Sequence, residues 1–156
     1  MHYEKDGIKM RPEDKLQELG LELPEKRAKG GNYISCVRSG NLLFLSGSLS
    51  YDVIGKVGDT LTIEEGYAAS RQAILFALST IKEEVGELSN VTKFVKLLGM
   101  INTAFDFTGQ AKVMNGASDL LVEVFGEDVG AHARTAVGMM LPRGAAVEID
   151  VIVEVK

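Results

Sequence analysis

The sequence predicts an α+β fold in which a single mixed sheet carries two long helices on one face. Three observations predict it. Strand-like and helix-like segments follow one another in the order β-β-α-β-α-β-β. Two stretches, within 62–85 and 110–125, repeat apolar residues at helical spacing. The last stretch alternates with a period of two. Val147, Ile149, Val151, Val153 and Val155 point one way, and Glu148, Asp150 and Glu154 the other.

The chain starts with a charged segment that reads as an N-terminal extension over 1–28, ahead of one domain over 29–156. Within the extension, Arg11-Pro12-Glu13-Asp14 opens a short helix with Leu16 and Leu19 on one side, and Gly20 and Pro24 end it. Gly30-Gly31-Asn32 is a loop. Tyr33–Val37 and Leu42–Leu45 read as two strands joined by Ser39-Gly40-Asn41, since Gly and Asn accept positive φ cheaply. Ser46-Gly47-Ser48 follows, then a loop with Gly55 and Gly58. Thr62-Ile63-Glu64-Glu65 is a capping box that starts a helix running to Val85, with Ile74, Leu75, Leu78, Ile81 and Val85 as its stripe and Gly86 as its stop.

Val91–Asn102 is an apolar strand. Gln110–Phe125 is a second helix with Val113, Ala117, Leu120, Leu121 and Val124 inward. Gly126–Gly130 reads as a loop, Arg134–Leu141 as a strand, and Pro142-Arg143-Gly144 as its turn. Two helices cover only one sheet face. Leu43, Leu45, Leu98 and Met100 compete for both faces, so the open face is less polar than a solvated one should be. Self-association is one way to cover it.

Composition narrows the function classes. The 156 residues carry a net charge of −5, with 46% hydrophobic and 25% charged residues, which suits one globular domain. The acidic balance, with a pI near 5.1, argues against a broad surface for nucleic acid or anionic membrane, because neutralising phosphates requires clustered Lys and Arg. No apolar run approaches the roughly 20 residues of a membrane span. The N-terminal stretch lacks the apolar core of a signal peptide. A lone cysteine, Cys36, excludes an intramolecular disulfide framework and suits a reducing compartment, so the expected location is cytoplasmic. Two histidines, His2 and His132, and one cysteine make a structural zinc site improbable. No phosphate-loop motif is present.

Individual residues carry two readings each. Arg134, at the head of an apolar strand, is either a solvated charge or a fixed guanidinium for bidentate carboxylate binding, which Lys cannot reproduce. Glu148 is either the polar face of its strand or a carboxylate that places water or shuttles a proton. Tyr33 is either strand-edge packing or a pocket hydroxyl. Asn115, a weak helix former inside a helix, suggests a hydrogen-bonding role. His132 reads as a loop histidine without a specific partner, or an acid/base. Cys36 reads as a small buried hydrophobe.

Three stretches then resemble one family. They are Tyr33-Ile-Ser-Cys-Val-Arg-Ser-Gly-Asn-Leu-Leu-Phe-Leu-Ser46-Gly47, Val113-Met114-Asn115, and Ala133-Arg134-Thr135 continuing to Leu141-Pro142 and Val147-Glu148-Ile149-Asp150. Together they are similar to the Rid family, also called YjgF or, in older usage, endoribonuclease L-PSP. The resemblance spans residues 30–156 and is strongest in the third stretch.

It implies a chorismate-mutase-like fold, a homotrimer with clefts between subunits, and hydrolytic deamination of small enamine or imine acids such as 2-aminoacrylate to 2-keto acids and ammonia. It implies no metal or organic cofactor. Arg134 would hold the substrate carboxylate, Glu148 would orient the attacking water, and Tyr33 and Asn115 would shape the pocket. The chain departs from the archetype at Ala136, where the family has cysteine, at Ser48, and in the spacings around Arg134, which marks a divergent subgroup. The alternative function is a non-catalytic binder of small carboxylate metabolites or a regulatory protein. RNA cleavage is disfavoured by the acidic pI.

Overall fold

A computed structural model describes residues 4–5 and 8–156, with side chains from Met10 onward; His2 lies outside the described residues. Two short strands, β1 (Glu4–Lys5) and β2 (Ile8–Lys9), pair antiparallel ahead of α1 (Pro12–Glu18). Pro12 sits at the helix start, where its missing N–H costs nothing. Leu16 of α1 is buried in the main core, and Ser79 Oγ donates to Pro24 O, so this early segment packs on the domain.

The main sheet has six strands: β3 (Cys36–Ser39), β4 (Leu42–Leu45), β5 (Ser48–Leu49), β6 (Val91–Asn102), β7 (Ala133–Met139) and β8 (Val147–Val155). Their order is β3-β4-β8-β6-β7, with β5 also pairing β8. Only β6 and β7 run parallel, which makes the sheet mixed. The fold class is therefore α+β with one mixed sheet, as the patterning predicts. Gly40-Asn41 forms the β3–β4 hairpin turn, with Gly40 at φ +62°.

Helix α2 (Ile63–Val85) starts at the expected capping box. Glu65 N–H donates to Thr62 Oγ1 at 3.1 Å, and Thr62 N–H donates to Glu65 Oε2 at 2.8 Å. Gly86 ends it at φ +80°. Helix α3 (Gln110–Phe125) has the expected bounds, and its five expected inward residues are all buried. On α2, Ile74, Leu78 and Ile81 are fully buried, while Leu75 and Val85 lie at the rim. Ala69, Ala73 and Ala77, four residues apart, are fully buried as well; small side chains there let the helix sit close over its neighbours. Gly116 brings α3 tight against α2, because a Cβ there would overlap the Tyr67 carbonyl oxygen.

Several local expectations need correction. The first main strand begins at Cys36 rather than Tyr33, because Gly30–Tyr33 closes a local turn through Tyr33 N–H to Gly31 O. Residues 127–130 are not loop but a single helical turn, α4 (Glu127–Gly130), started by Gly126 at φ +77°. The strand of Arg134 spans Ala133–Met139 and stops short of Leu141. Leu43 and Leu45 both face the helices, so only Leu98 and Met100 of the four ambiguous residues stay on the open face. In β8 the alternation holds at every position, odd residues buried and even ones half-buried. The open face keeps exposed Phe44, Val95 and Val137.

Candidate active site

Strand register decides where the candidate residues point. Arg134 pairs with Leu97 on β6, which is fully buried under the helices, so Arg134 lies on the helix side of edge strand β7. Helix α3 passes above it, and Asn115 and Ser118, one turn apart, face the guanidinium. Arg134 Nη1 donates to Asn115 Oδ1 and to Ser118 Oγ, both at 3.0 Å, and Nη2 donates to Ala111 O at 3.2 Å.

A guanidinium carries five N–H donors. Three are used here, leaving Nε–H and one Nη2–H. Among the described residues Arg134 has no carboxylate partner; neutral dipoles alone hold it. The two remaining donors match a bidentate carboxylate, and the charge has no counter-ion.

His132 corrects the expectation of a partnerless loop histidine. Its Nδ1 lies 2.6 Å from Gly130 O, an acceptor only, so Nδ1 carries the proton. Nε2 is then an acceptor, 2.9 Å from Ser118 Oγ. Ser118 therefore gives its proton to His132 and keeps its lone pairs for Arg134. Burial pushes the His132 pKa below its ordinary value, with the Arg134 charge adding to the fall, and this keeps the ring neutral. Sequence reasoning missed Ser118. The signal was present, since Ser118 stands three residues after Asn115 on the same helical face.

Glu148 lies elsewhere. It pairs with Met100 on β6, and its neighbours Val147 and Ile149 fill the helix-side core, so its carboxylate is on the open face. Within one chain Arg134 and Glu148 thus occupy opposite sides of the sheet. Burial raises the Glu148 pKa, and the Asp150 charge adds to the rise. Glu148 makes no hydrogen bond or ion pair among the described residues. Gly47 packs against it so closely that any Cβ there would overlap Oε1. The Ser-Gly end of the first stretch therefore makes room for the carboxylate.

Tyr33 is 49% exposed in the turn before β3, where its hydroxyl accepts the Gly30 N–H at 3.2 Å. Tyr33 and Glu148 both lie within electrostatic reach of the Tyr51 hydroxyl. Burial raises the pKa of the Tyr51 hydroxyl, the Tyr33 and Glu148 charges add to the rise, and Arg143 and Arg27 oppose it. The structure therefore joins Asn115 with Arg134 as one candidate half-site and puts Glu148 on the other side of the sheet as a second; among the described residues Tyr33 makes no hydrogen bond to either.

Cys36 is buried, and burial raises its thiol pKa, as suits a small core residue. Among the described residues no cluster of His, Cys, Asp and Glu could hold a metal, and no helix is long and apolar enough to cross a membrane. A cavity of about 630 Å³ lies away from both half-sites, between α1 and the end of α3. Its cations Arg11 and Lys15 are already paired with Asp14 and Glu18, and Lys156 Nζ donates to Ser89 O.

Known proteins resemble this chain in sequence and fold. Residues 13–147 match the family described as "YjgF/chorismate_mutase-like, putative endoribonuclease". Protein TCP17 of Trypanosoma cruzi is 46% identical over 145 residues, covering 89% of this chain and 91% of that protein. A "putative endoribonuclease" of Shewanella oneidensis superposes with TM-score 0.90 at 36% identity, over 94% of this chain and all of the other. RidA of an Antarctic Psychrobacter superposes with TM-score 0.52 at 26% identity, over 83% and 94% of the two chains. The chain belongs to the Rid/YjgF family.

Proposed function

We propose that the protein is a hydrolytic deaminase of small enamine or imine acids, converting 2-aminoacrylate-like compounds to 2-keto acids and ammonia in the cytoplasm. The observation that carries this reading is Arg134, braced by three neutral acceptors with two donors left over. Such a group binds a carboxylate at a fixed point and angle.

The chemistry requires little more than orientation and a placed water. An enamine first becomes its imine, the methylene carbon gaining a proton as the nitrogen loses one; water then adds its oxygen to the imine carbon while the C=N electron pair moves to nitrogen, which takes up a proton. The carbinolamine then releases ammonia as its hydroxyl becomes the keto oxygen. Glu148, half-buried and without a hydrogen-bonding partner among the described residues, accepts the water's proton and returns it to the leaving nitrogen. Tyr33 and Asn115 line the two half-sites, and Asn115 also fixes Arg134.

Because the two half-sites lie on opposite sides of the sheet, a complete site needs a second chain. A homotrimer that covers Phe44, Val95 and Val137 brings the Arg134 edge of one subunit to the Glu148 face of the next. The test generates 2-aminoacrylate in situ and follows keto acid and ammonia. Wild type accelerates both over buffer, and Arg134→Ala abolishes the acceleration. Equal rates with and without protein would refute it.

The separation of the half-sites also favours a second reading. A lone chain retains the Arg134 clamp without Glu148, which is a carboxylate binder without turnover. Keto acids would then raise Tm with no product formed, through selective binding to the native state.

A further inference from the structure

The Glu148 side holds a second cationic cluster that the reaction above does not use. A cavity of about 390 Å³ is lined there by Arg27, Leu49, Tyr51, Ile54 and Arg143. Leu49 is the cross-strand partner of Glu148, so the cavity begins one side chain away from that carboxylate.

Arg27 is held by its face. Its guanidinium lies 5.3 Å from the Tyr51 ring centroid and 6.0 Å from that of Phe76, and those two rings meet edge to face at 4.8 Å. Stacking fixes the cation while leaving its N–H edge for an anion. Its ionic partner is Asp52 at 3.4 Å, a long contact between two exposed side chains, which an incoming anion displaces at small cost.

Arg143 is held by its backbone. It is the one non-glycine described residue at positive φ, +59°, a conformation that strains an L-residue and recurs at binding sites. Among the described residues its guanidinium makes no hydrogen bond or ion pair, and the Tyr51 hydroxyl makes no hydrogen bond. One unpaired guanidinium, a second held only by a long exposed contact to Asp52, and a phenol therefore line one cavity in a chain of net charge −5.

We propose that this cavity is a second anion-binding position, and that the substrate is a dicarboxylic imino acid whose side-chain carboxylate it receives. The proposal rests on Arg134 and Glu148 forming the reaction centre, and adds the substrate class to that reading. The volume lies within the range of small-molecule sites and accommodates a side chain of a few carbons.

The test is calorimetric titration of the full-length protein with 2-oxoglutarate and 2-oxopentanoate, which share a five-carbon chain and differ in the terminal carboxylate. Wild type is expected to bind 2-oxoglutarate about tenfold or more tightly, as charge-assisted hydrogen bonds to a guanidinium allow. Arg143→Gly, which relieves the backbone strain, and Arg27→Met each reduce that preference and leave 2-oxopentanoate binding unchanged. Equal affinities in wild type, or a preference undiminished in either variant, would overturn the proposal. Absence of 2-oxopentanoate binding, with 2-oxoglutarate still held through Arg27 and Arg143, would instead remove the Arg134 reading and leave the anion cavity standing.

Discussion

Ser118→Ala tests the support of the proposed carboxylate clamp, Arg134, without touching its charge. Ser118 Oγ accepts from Arg134 Nη1 at 3.0 Å and donates to His132 Nε2 at 2.9 Å. The substitution removes both bonds together. Hydrogen bonds to charged groups contribute about 1.5–3 kcal/mol and neutral ones about 1 kcal/mol. Arg134 is partly solvated, so water recovers some of the first, and the sum is about 2 kcal/mol. For a domain of this size that lowers Tm by about 4–8 °C.

Arg134 keeps its bonds to Asn115 and Ala111, so it remains near its place with a wider angular spread. KM for an imino acid should rise about three- to tenfold, with kcat nearly unchanged, because the loss falls on orientation rather than on proton transfer. Urea denaturation gives the first number and steady-state kinetics the second. A double-mutant cycle with Arg134→Lys should show coupling. An unchanged Tm together with an unchanged KM, or additivity within about 0.3 kcal/mol, would refute the relay from His132 through Ser118 to Arg134.

Three further outcomes are expected. Gly47→Ala displaces the Glu148 carboxylate that fills its Cβ position, and because a side-chain end can move aside, activity should fall at least about a hundredfold with little change in Tm, read by paired kinetics and calorimetry. His132 has its pKa lowered in the folded state, so between the folded value and the unfolded value near 6.5 the unfolded chain binds more protons; stability is full above about 6.5, falls as pH drops through that window, and should fall less in His132→Gln by urea titration at several pH values. Phe44→Asp or Val137→Glu places a charge on the open sheet face; light scattering should show dissociation to smaller species, and deamination should disappear with it, whereas an unchanged mass would remove that face from the assembly.

The amino-acid sequence by itself determined most of the secondary structure, because the deciding forces are local. The capping box at Thr62, the glycine stop at Gly86 and the strict alternation of 147–155 are each readable from residues a few positions apart. Helix α3 kept its expected bounds for the same reason. Local reasoning failed where the competing signals were also local but weaker, as in the turn that absorbs Tyr33 and the single helical turn after Gly126.

The candidate residues Arg134, Asn115, Glu148 and Tyr33 could be proposed from the sequence, but not their grouping. Only strand register, set by which side chains the core accepts, places Arg134 on the helix side and Glu148 on the open face. A one-residue slip would reverse either. The tertiary structure alone also brings Ser118 to His132 and Arg134, and Arg27 and Arg143 to one cavity, because these contacts join segments distant in sequence. Chemistry-bearing residue types are visible one at a time, whereas a site is a set of directions in space, and those directions exist only once the sheet has formed and the helices have packed on it.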